Sequence, residues 1–254
     1  RPANPRLRVF SGGKLEWRKG HDVVVEAFKR FRAAHPDARA ELVVSWVNPW
    51  RVTLDTIAAA PHTNGTPAVL SSPVGAASAS TSTASLSPRG PAEDAKDAAA
   101  IAEWLALNGI ADAVSVPPVP HAAVPELLRS VDVALFPNRA EGGTNLVAME
   151  AAAMGVPTVL AANTGHLDLI AALDEDRGCW PLRRRQTPSP DPPTSSAAVV
   201  GFETDPDDAV RALEDVFLHP VAARHRALHG AAQMRRRWTW DAAVSVLATA
   251  AHGP

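Results

Sequence analysis

Short apolar runs alternate with longer amphipathic stretches along this chain, and this alternation limits the fold more than any other feature. The run 7–11 has strand length and is followed by Gly12 and Gly13, where we expect the strand to end in a turn. In residues 21–34 apolar side chains recur at spacings of three and four, which predicts a helix, and 41–46 is a second apolar run. Strand, helix and strand in this order indicate a βαβ unit and therefore a parallel sheet.

The alternation continues to the end of the chain. Further strands are predicted at 113–116, 131–136 and 157–161. Further helices are predicted at 93–107, 124–130, 144–154, 205–217, 221–236 and 241–251. We therefore predict a single Rossmann-like α/β domain over residues 1–254, with a parallel sheet flanked by helices.

Two segments interrupt this pattern and are predicted to be disordered insertions. Residues 61–91 consist mostly of Ala, Ser, Thr, Pro and Gly, and residues 181–198 are rich in Pro, Ser and Thr. Such compositions carry too little large apolar surface to offset the entropy that is lost on ordering. A flexible regulatory loop is the alternative for the first segment, although no motif supports it.

Charge and composition exclude several classes of protein. The chain has 25 basic and 27 acidic residues, so its near-neutral charge gives no overall attraction to nucleic acid or to anionic membranes. The single cysteine, Cys179, cannot form an internal disulfide, and no run of about 18 apolar residues predicts a membrane span. The opening residues 1–5 lack an initiator Met and a signal-peptide profile, so we expect the chain to be part of a longer protein. The compartment stays open, with a soluble cytoplasmic or organellar location expected.

The loop between the first strand and the first helix is suited to binding phosphate. It contains Gly12 and Gly13 followed by the cations Lys14, Arg18 and Lys19. Ligands of open parallel sheets bind at the carboxyl ends of the strands, and free N–H groups at a helix N-terminus favour anions there. The spacing matches neither the Walker pattern nor the Rossmann glycine fingerprint, so an exposed basic turn is the alternative.

A second loop places two carboxylates around the start of a predicted helix. Glu141 precedes that helix and Glu150 lies within it. A fixed carboxylate holds the vicinal hydroxyls of a ribose or hexose through charge-assisted hydrogen bonds. The residues after Glu141 expose backbone amides or begin the helix and are predicted to contact the same ligand: Gly142, Gly143, Thr144, Asn145 and Leu146. The alternatives are that Glu141 only favours the helix N-terminus and that Glu150 lies on a solvated helix face.

Taken together and in order, these loops resemble the donor-binding domain of the family-four, group-one glycosyltransferases, which have the GT-B fold. Gly13-Lys14-Leu15 followed by Lys19-Gly20 resembles the Gly-Arg-Leu-x-x-x-Lys-Gly segment of that family, with Lys14 in place of the usual arginine. The resemblance implies that Lys14 and Lys19 hold the diphosphate of a nucleotide-sugar donor. Replacing arginine by lysine removes a bidentate fork but keeps the positive charge.

The loop with the two carboxylates resembles the Glu-x7-Glu motif of the same family, and residues 131–137 resemble the strand before it. The resemblance implies that Glu141 contacts the donor sugar and that Glu150 binds the nucleotide ribose. Eight residues separate the two glutamates here, so we interpret the pair Gly142-Gly143 as a one-residue insertion.

Two more segments carry the resemblance. Residues 164–168 resemble the Gly-Gly-x-x-Glu turn that approaches the donor, with Gly165 retained and with Thr164 and Asp168 different. His166 in this loop is interpreted as a solvent-facing residue, and a catalytic role is the alternative. Residues 238–241 resemble an aromatic-Thr-Trp element near the end of the fold and are assigned a packing role only.

The function implied by the resemblance is glycosyl transfer of the hexosyltransferase type. A nucleotide-diphosphate sugar would be the donor and a hydroxyl the acceptor, with retention of configuration and without a metal or other cofactor. Lys14, Lys19 and Glu141 would act on the reacting groups.

An acceptor domain is expected outside this chain, which makes a catalytically incomplete nucleotide-sugar-binding module the first alternative. A nucleic-acid-binding or scaffolding protein is the second alternative, suggested by Arg183–Arg185 and Arg235–Arg237 and disfavoured by the net charge.

Overall fold

A parallel sheet forms the centre of the protein. The computed structural model describes residues 6–47, 55–67, 90–183, 187–189 and 201–252. The strands of this sheet are β1 (Arg6–Lys14), β2 (Arg39–Val47), β3 (Val114–Ser115), β4 (Val133–Phe136), β5 (Thr158–Ala161) and β6 (Trp180–Leu182). Their order is β3-β2-β1-β4-β5-β6, and every neighbouring pair is parallel. This is the doubly wound order of a Rossmann-like fold, which confirms the predicted class.

Helices cover both faces of the sheet. They are α1 (His21–Ala34), α2 (Pro91–Leu107), α3 (Val124–Arg129), α4 (Leu146–Ala153), α5 (His166–Ala172), α6 (Pro206–Leu218), α7 (Pro220–Arg237) and α8 (Trp240–His252). A separate antiparallel pair consists of β7 (Thr187–Ser189) and β8 (Gly201–Glu203). No helix in the described part of the chain has the length and apolarity needed to cross a membrane.

The core consists of two apolar clusters, one on each face of the sheet. Successive side chains of a strand point to opposite faces, so Val9 of β1 joins the cluster with α1, α2 and α6, whereas Phe10 joins the cluster with α3, α4 and α5. Both side chains are fully buried, and burying a side chain of this size stabilises the fold by about 1.5–3 kcal/mol.

The predicted strands and helices occur in the predicted order, whereas β6, β7 and β8 were not predicted. Two boundaries near the expected site are also wrong. The first strand does not end at Gly12, because Gly12, Gly13 and Lys14 pair with Ser45–Val47 of β2. The fourth helix begins at Leu146 and not at Thr144, since Asn145 is its N-cap and the Asn145 Oδ1 accepts a hydrogen bond from the Ala148 N–H at 3.3 Å.

The boundaries of both predicted insertions also need correction. Residues 61–67 form turns, and the carbonyls of Asn64 and Gly65 accept hydrogen bonds from the buried Trp104 Nε1 at 3.0 and 3.1 Å. Pro91 already begins α2, and residues 181–182 belong to β6. Residues 187–189 form β7, whereas 68–89, 184–186 and 190–200 lie outside the described residues.

The packing role assigned to residues 238–241 holds for one of the two tryptophans. Trp238 packs against the cluster beneath α4 and α5, whereas Trp240 is 87% exposed. Periodicity alone does not distinguish these positions, because burial depends on which helix face meets the rest of the domain.

The order of the strands reverses between β1 and β4. Both strands are neighbours in the sheet, while the chain leaves β1 toward β2 and leaves β4 toward β5. Ligands of open α/β sheets bind in the crevice at this switch point, outside the carboxyl ends of the strands. The loops that follow β1, β4 and β5 meet there.

Candidate functional site

The loop after β1 packs directly on the loop after β4. A 3-10 turn, Trp17–Lys19, leads to Gly20, which has a φ of 68° and is the N-cap of α1. A Cβ at this position would lie only 2.3 Å from the Pro137 carbonyl oxygen. Glycine is therefore required at position 20 by both its backbone conformation and its close neighbour.

This packing brings the predicted cation and carboxylate together. Lys19 Nζ and Asn138 Nδ2 both donate to Glu141 Oε1, and Arg18 Nη1 donates to Glu141 Oε2 at 3.0 Å. Arg18 also pairs with Glu16 at 2.6 Å. We call Arg18, Lys19, Asn138 and Glu141 the cationic cluster. Asn138 had no functional assignment from the sequence, because nothing in its spacing connects it with the loop after β1.

The charge states in the cationic cluster follow from burial and pairing. Burial raises the pKa of Glu141, but Lys19 and Arg18 outweigh this effect and hold the pKa below its ordinary value. Burial lowers the pKa of Lys19, and the neighbouring Glu141 acts in the opposite direction. Arg18 remains the most exposed of the three side chains. The cluster therefore combines an ionised carboxylate with one partly exposed cation, Arg18, and one mostly buried cation, Lys19.

A second group of charges lies beside the cationic cluster and has a fully buried ion pair at its centre. The two terminal nitrogens of Arg139 donate to the two oxygens of Asp22 at 2.7 and 2.8 Å, and Arg139 Nε donates to Glu203 Oε1 at 2.7 Å. Burial disfavours the charge on Arg139, yet Asp22 and Glu203 outweigh burial and raise its pKa. The guanidinium is 0% exposed and Asp22 is 2% exposed. We call Arg139, Asp22 and Glu203 the buried arginine network.

The buried arginine network holds the two site loops together. Arg139 Nη1 also donates to the Trp17 carbonyl at 2.9 Å, and the Arg139 backbone N–H donates to the Arg18 carbonyl at 2.8 Å. These contacts join the segment that carries Glu141 to the turn that carries Lys19. The sequence shows an arginine immediately after a buried strand, but it does not show which distant carboxylates pair with it.

The loop after β5 completes the site. The Gly165 N–H donates to the Glu141 carbonyl at 3.2 Å, and a Cβ on Gly165 would lie 1.5 Å from the Gly143 carbonyl oxygen. The neighbouring Thr164 has a φ of 42°, and its hydroxyl oxygen accepts from the Glu141 N–H at 2.8 Å. The resembled family has glycine where Thr164 stands, which fits a backbone conformation that favours glycine. A Cβ on Gly142 would meet no atom within 4 Å, so open space adjoins this loop.

His166 is buried, and its interpretation as a solvent-facing loop residue is wrong. Burial lowers the pKa of His166 to about 4, so the ring is neutral near pH 7. Nδ1 lies 3.2 Å from the Ala161 carbonyl and Nε2 lies 3.2 Å from Asn145 Nδ2. A neutral ring that donates from Nδ1 and accepts at Nε2 satisfies both contacts. His166 therefore orients Asn145, which caps α4.

A second buried histidine lies under the loop after β1. His21 Nε2 lies 2.6 Å from the Lys14 carbonyl, and the ring packs on Trp46 with centroids 4.3 Å apart. His21 Nδ1 has no hydrogen-bond partner among the described residues. Burial lowers the pKa of His21 to about 3, so this ring is also neutral near pH 7.

Lys14 and Glu150 lie outside the cationic cluster. The Lys14 side chain is exposed and makes no hydrogen bond or ion pair within the described ranges. Glu150 lies on α4, is 36% exposed and has its Oε1 3.7 Å from His121 Nδ1. On the same helix, Val147 lies over Gly12, where a Cβ would come within 2.9 Å of the Val147 Cγ1. Glycine at position 12 therefore allows α4 to approach the end of β1.

The remaining predicted ligand contacts surround the start of α4. Thr144 Oγ1 lies 2.8 Å from Met149 Sδ, and Leu146 is 67% exposed. The structure thus gathers Lys19, Glu141 and the two glycines Gly143 and Gly165. Their roles toward a ligand, and those of the neighbouring predicted residues, stay predictions.

The arginine runs that suggested nucleic-acid binding are partly engaged within the protein. Arg183 donates to Asp176 at 2.7 and 2.9 Å, and Arg235 donates to the Ala153 carbonyl at the end of α4 at 3.0 Å. Residues 184–185 lie outside the described part of the chain.

A doubly wound sheet with cations and a carboxylate at its switch point defines a Rossmann-like domain of the kind found in GT-B glycosyltransferases. A model of the family described as "Family 4 Glycosyltransferase in conflict systems" matches residues 74–247, and the chain belongs to this family. The predicted family resemblance is therefore confirmed. Comparison with curated proteins gives no match.

Solved structures support the same fold. Sucrose-phosphate synthase from Thermosynechococcus elongatus matches with a TM-score of 0.53 and 17% identity, over 93% of this chain and 42% of that chain. The C-terminal domain of the group 1 glycosyl transferase LpcC from Francisella tularensis matches with a TM-score of 0.54 and 11% identity, over 92% and 87%. HepE from Anabaena, solved in complex with UDP, matches with a TM-score of 0.54 and 13% identity, over 92% and 45%. The chain thus spans less than half of the synthase and of HepE.

Proposed function

We propose that this chain binds a nucleoside-diphosphate sugar and takes part in transfer of the sugar to an acceptor hydroxyl, with retention of configuration. The observation that carries the proposal is the meeting of Lys19 and Arg18 with Glu141 at the switch point of the sheet, in a member of a glycosyltransferase family. Cations there suit a diphosphate, and a carboxylate suits sugar hydroxyls.

The cations would act mainly by stabilising the leaving group. When the bond between the sugar and the diphosphate breaks, negative charge builds on the diphosphate, and fixed positive charges lower the energy of that state. Lys19 and Arg18 are already held in place, and Lys14 would add an exposed third charge. These side chains supply the charge that a metal ion supplies in other transferases, so we propose a reaction without a metal.

Glu141 would change partners when the donor binds. Its carboxylate accepts from Lys19, Arg18 and Asn138. An ionised carboxylate has about four acceptor sites, which leaves room for a sugar hydroxyl. A diphosphate would also compete with Glu141 for the two cations and free more of its capacity. Glu141 would then orient the hexose while the cations hold the diphosphate.

Glu150 is proposed to bind the ribose. Its side chain is partly exposed, and α4 runs over the end of β1 at Gly12. A carboxylate in this position can accept hydrogen bonds from both hydroxyls of a ribose.

A second domain is proposed to bind the acceptor substrate, because this chain covers less than half of two matched structures.

A nucleotide-sugar-binding module without transfer activity is the second candidate. It is favoured by the same observation, that this chain covers less than half of sucrose-phosphate synthase and of HepE. The two candidates share the donor site and differ in turnover. Release of free nucleoside diphosphate from a nucleotide sugar, followed over hours with a protein that includes the proposed second domain, separates them: a binding module holds the donor and releases none.

Calorimetric titration of the chain tests the shared donor site. The ligands are UDP, GDP, ADP and their glucose conjugates, with UDP first because HepE from Anabaena was solved with it. We expect saturable binding of at least one nucleotide and none of inorganic sulfate at the same concentration. If none of these nucleotides binds, the donor-site proposal is wrong.

A further inference from the structure

A large cleft lies at the amino edge of the sheet, on the opposite side of the domain from the cationic cluster. Its volume is about 750 Å³, and it is bounded by the first residues of β1, the segments before β4 and β5, and parts of α3, α6 and α7. Cavities of roughly 300–1,000 Å³ are typical of small-molecule sites in proteins. The cleft therefore has room for a ligand of moderate size.

The floor of the cleft is apolar and rigid. Its lining includes the partly exposed apolar side chains of Met154, Pro157 and Leu218, together with buried residues such as Leu7 and Val216. The buried residues belong to the core, so the sheet and its helices hold the floor in place. Such a surface favours an apolar ligand body.

Three arginines line the same cleft. Arg6 comes from β1, Arg129 from the end of α3 and Arg224 from α7, and all three are exposed. Across the described ranges, most other arginines bind a carboxylate or a carbonyl oxygen, whereas these three make no hydrogen bond or ion pair.

One acidic residue lines the cleft beside the three arginines. Asp132 accepts a hydrogen bond from the Arg8 backbone N–H at 2.7 Å, so its carboxylate is already engaged. Among the described residues, the lining thus carries three positive charges against one negative charge. This excess favours an anion, and the guanidinium fork fits the oxygens of a phosphate.

We propose that the cleft binds a phosphate ester of an apolar alcohol, with the phosphate on the arginines and the hydrocarbon on the apolar floor. Apolar walls alone would not select an anion, and exposed arginines alone would not select a hydrocarbon. The two features meet in one cleft, and an amphiphilic phosphate satisfies both. This site is separate from the proposed donor site, so either proposal stands without the other.

Octyl phosphate, kept below its micelle concentration, is the probe that tests this site. Calorimetric titration of the wild-type chain is expected to give saturable binding at least about tenfold tighter than that of inorganic phosphate, because the octyl chain buries apolar surface. 1-Octanol is the control ligand that lacks the phosphate group, and it is expected to bind more weakly than octyl phosphate. Inorganic phosphate or 1-octanol binding as tightly as octyl phosphate contradicts the proposal.

The double variant Arg129→Gln with Arg224→Gln is expected to weaken octyl phosphate binding about tenfold or more, since it removes two charge-assisted contacts. The matched control is Arg177→Gln with Arg237→Gln, which removes the same charge from exposed positions outside the cleft. Thermal unfolding of both variants checks that they fold. Equal affinity of wild type and the first variant overturns the proposal.

Lys19→Ala separates this site from the donor site. Octyl phosphate binding is expected to be unchanged in that variant, while the variant with altered Arg129 and Arg224 keeps the nucleotide affinity of the wild type. If Lys19→Ala abolishes octyl phosphate binding, the ligand occupies the donor site and the cleft proposal fails.

Discussion

The cationic cluster and the buried arginine network lie next to each other, yet their arginines differ in exposure to solvent. Arg139 is 0% exposed and all three edges of its guanidinium are occupied by Asp22, Glu203 and Trp17. In the cationic cluster, the Arg18 side chain remains 31% exposed. Adjacent groups of the same charge types can therefore serve two purposes, one fixing the loops and the other meeting a ligand.

Solvation explains why the buried arginine network fixes the loops whereas the cationic cluster can meet a ligand. Breaking a fully buried ion pair leaves a charge without water or a counter-charge, which costs several kcal/mol, whereas an exposed pair exchanges its partner for water at little cost. A ligand diphosphate can compete for Arg18 for the same reason, because the Arg18 side chain is 31% exposed, and for Lys19 once it has displaced Glu141. It cannot compete for Arg139, which is 0% exposed and whose three nitrogens all donate to Asp22, Glu203 or Trp17.

The largest effect is expected from Arg139→Met, which keeps an unbranched stem and leaves Asp22 buried without its partner. We expect a loss of about 3–5 kcal/mol in the free energy of unfolding, measured by urea denaturation. Adding Asp22→Asn to this variant should recover part of the loss, because a neutral amide costs less to bury than a carboxylate. A loss under about 1 kcal/mol in Arg139→Met would mean that this network does not hold the loops.

The next largest effect is expected when the free energy of unfolding is measured as a function of pH. The pKa of His166 in the folded protein is about 4, below its ordinary value of 6.5, so the unfolded chain binds a proton first. The stabilisation is complete above about pH 6.5 and falls by about 1.4 kcal/mol per unit as the pH drops toward 4. His21, with a pKa of about 3, adds a slope of the same sign.

His166→Gln should reduce this slope between pH 6.5 and 4.5, as followed by urea denaturation at each pH. The matched control is His121→Gln, which removes an imidazole that is 89% exposed. Equal slopes in wild type and His166→Gln would contradict the assignment of a buried neutral ring.

The cationic cluster should respond to substitution in binding more than in stability. Lys19→Ala is expected to weaken nucleoside-diphosphate binding by about 10–100-fold, the worth of one charge-assisted hydrogen bond. The free energy of unfolding should change by about 1 kcal/mol, because Glu141 keeps Arg18 and Asn138 as partners. Calorimetry and urea denaturation on the same sample measure the two effects. Lys29→Ala on α1 is the control, since among the described residues that lysine pairs only with Glu26, at 3.4 Å. A reversed pattern, with stability lost and binding kept, would place Lys19 with the buried arginine network.

The smallest effect is expected from Glu150→Ala. If Glu150 holds the ribose, affinity for a nucleoside diphosphate should fall by about tenfold, and affinity for pyrophosphate, which has no ribose, should not change. Calorimetry with both ligands measures the difference. An equal fall for the two ligands would show that Glu150 acts on the diphosphate or on the fold.

The order of elements was predictable because it depends on local periodicity. The helix His21–Ala34 has the bounds that its apolar spacing predicts, and the strands on either side follow from short apolar runs. Exact ends were less predictable where glycine occurs. Gly12 and Gly13 continue β1 because their backbone pairs with β2, a partner that lies more than 30 residues away.

The candidate site was predictable in its residue types and not in its pairings. The order of the loops indicated Lys19 and Glu141, and the fold brings them into contact. His166 was misinterpreted because nothing in its neighbourhood along the chain shows that Asn145 and Ala161 enclose it. Asn138 and Arg139 were missed as functional residues for the same reason.

The sequence by itself determined the alternation of strands and helices, the parallel sheet and the family, because these depend on side-chain spacing and on the order of short motifs. Tertiary structure alone decided which charges are buried. Arg139 and Arg18 are the same residue type, but one lies between α1 and β8 and the other faces solvent. Burial depends on contacts between segments far apart in sequence, and burial sets whether a charge stabilises the fold or remains available to a ligand.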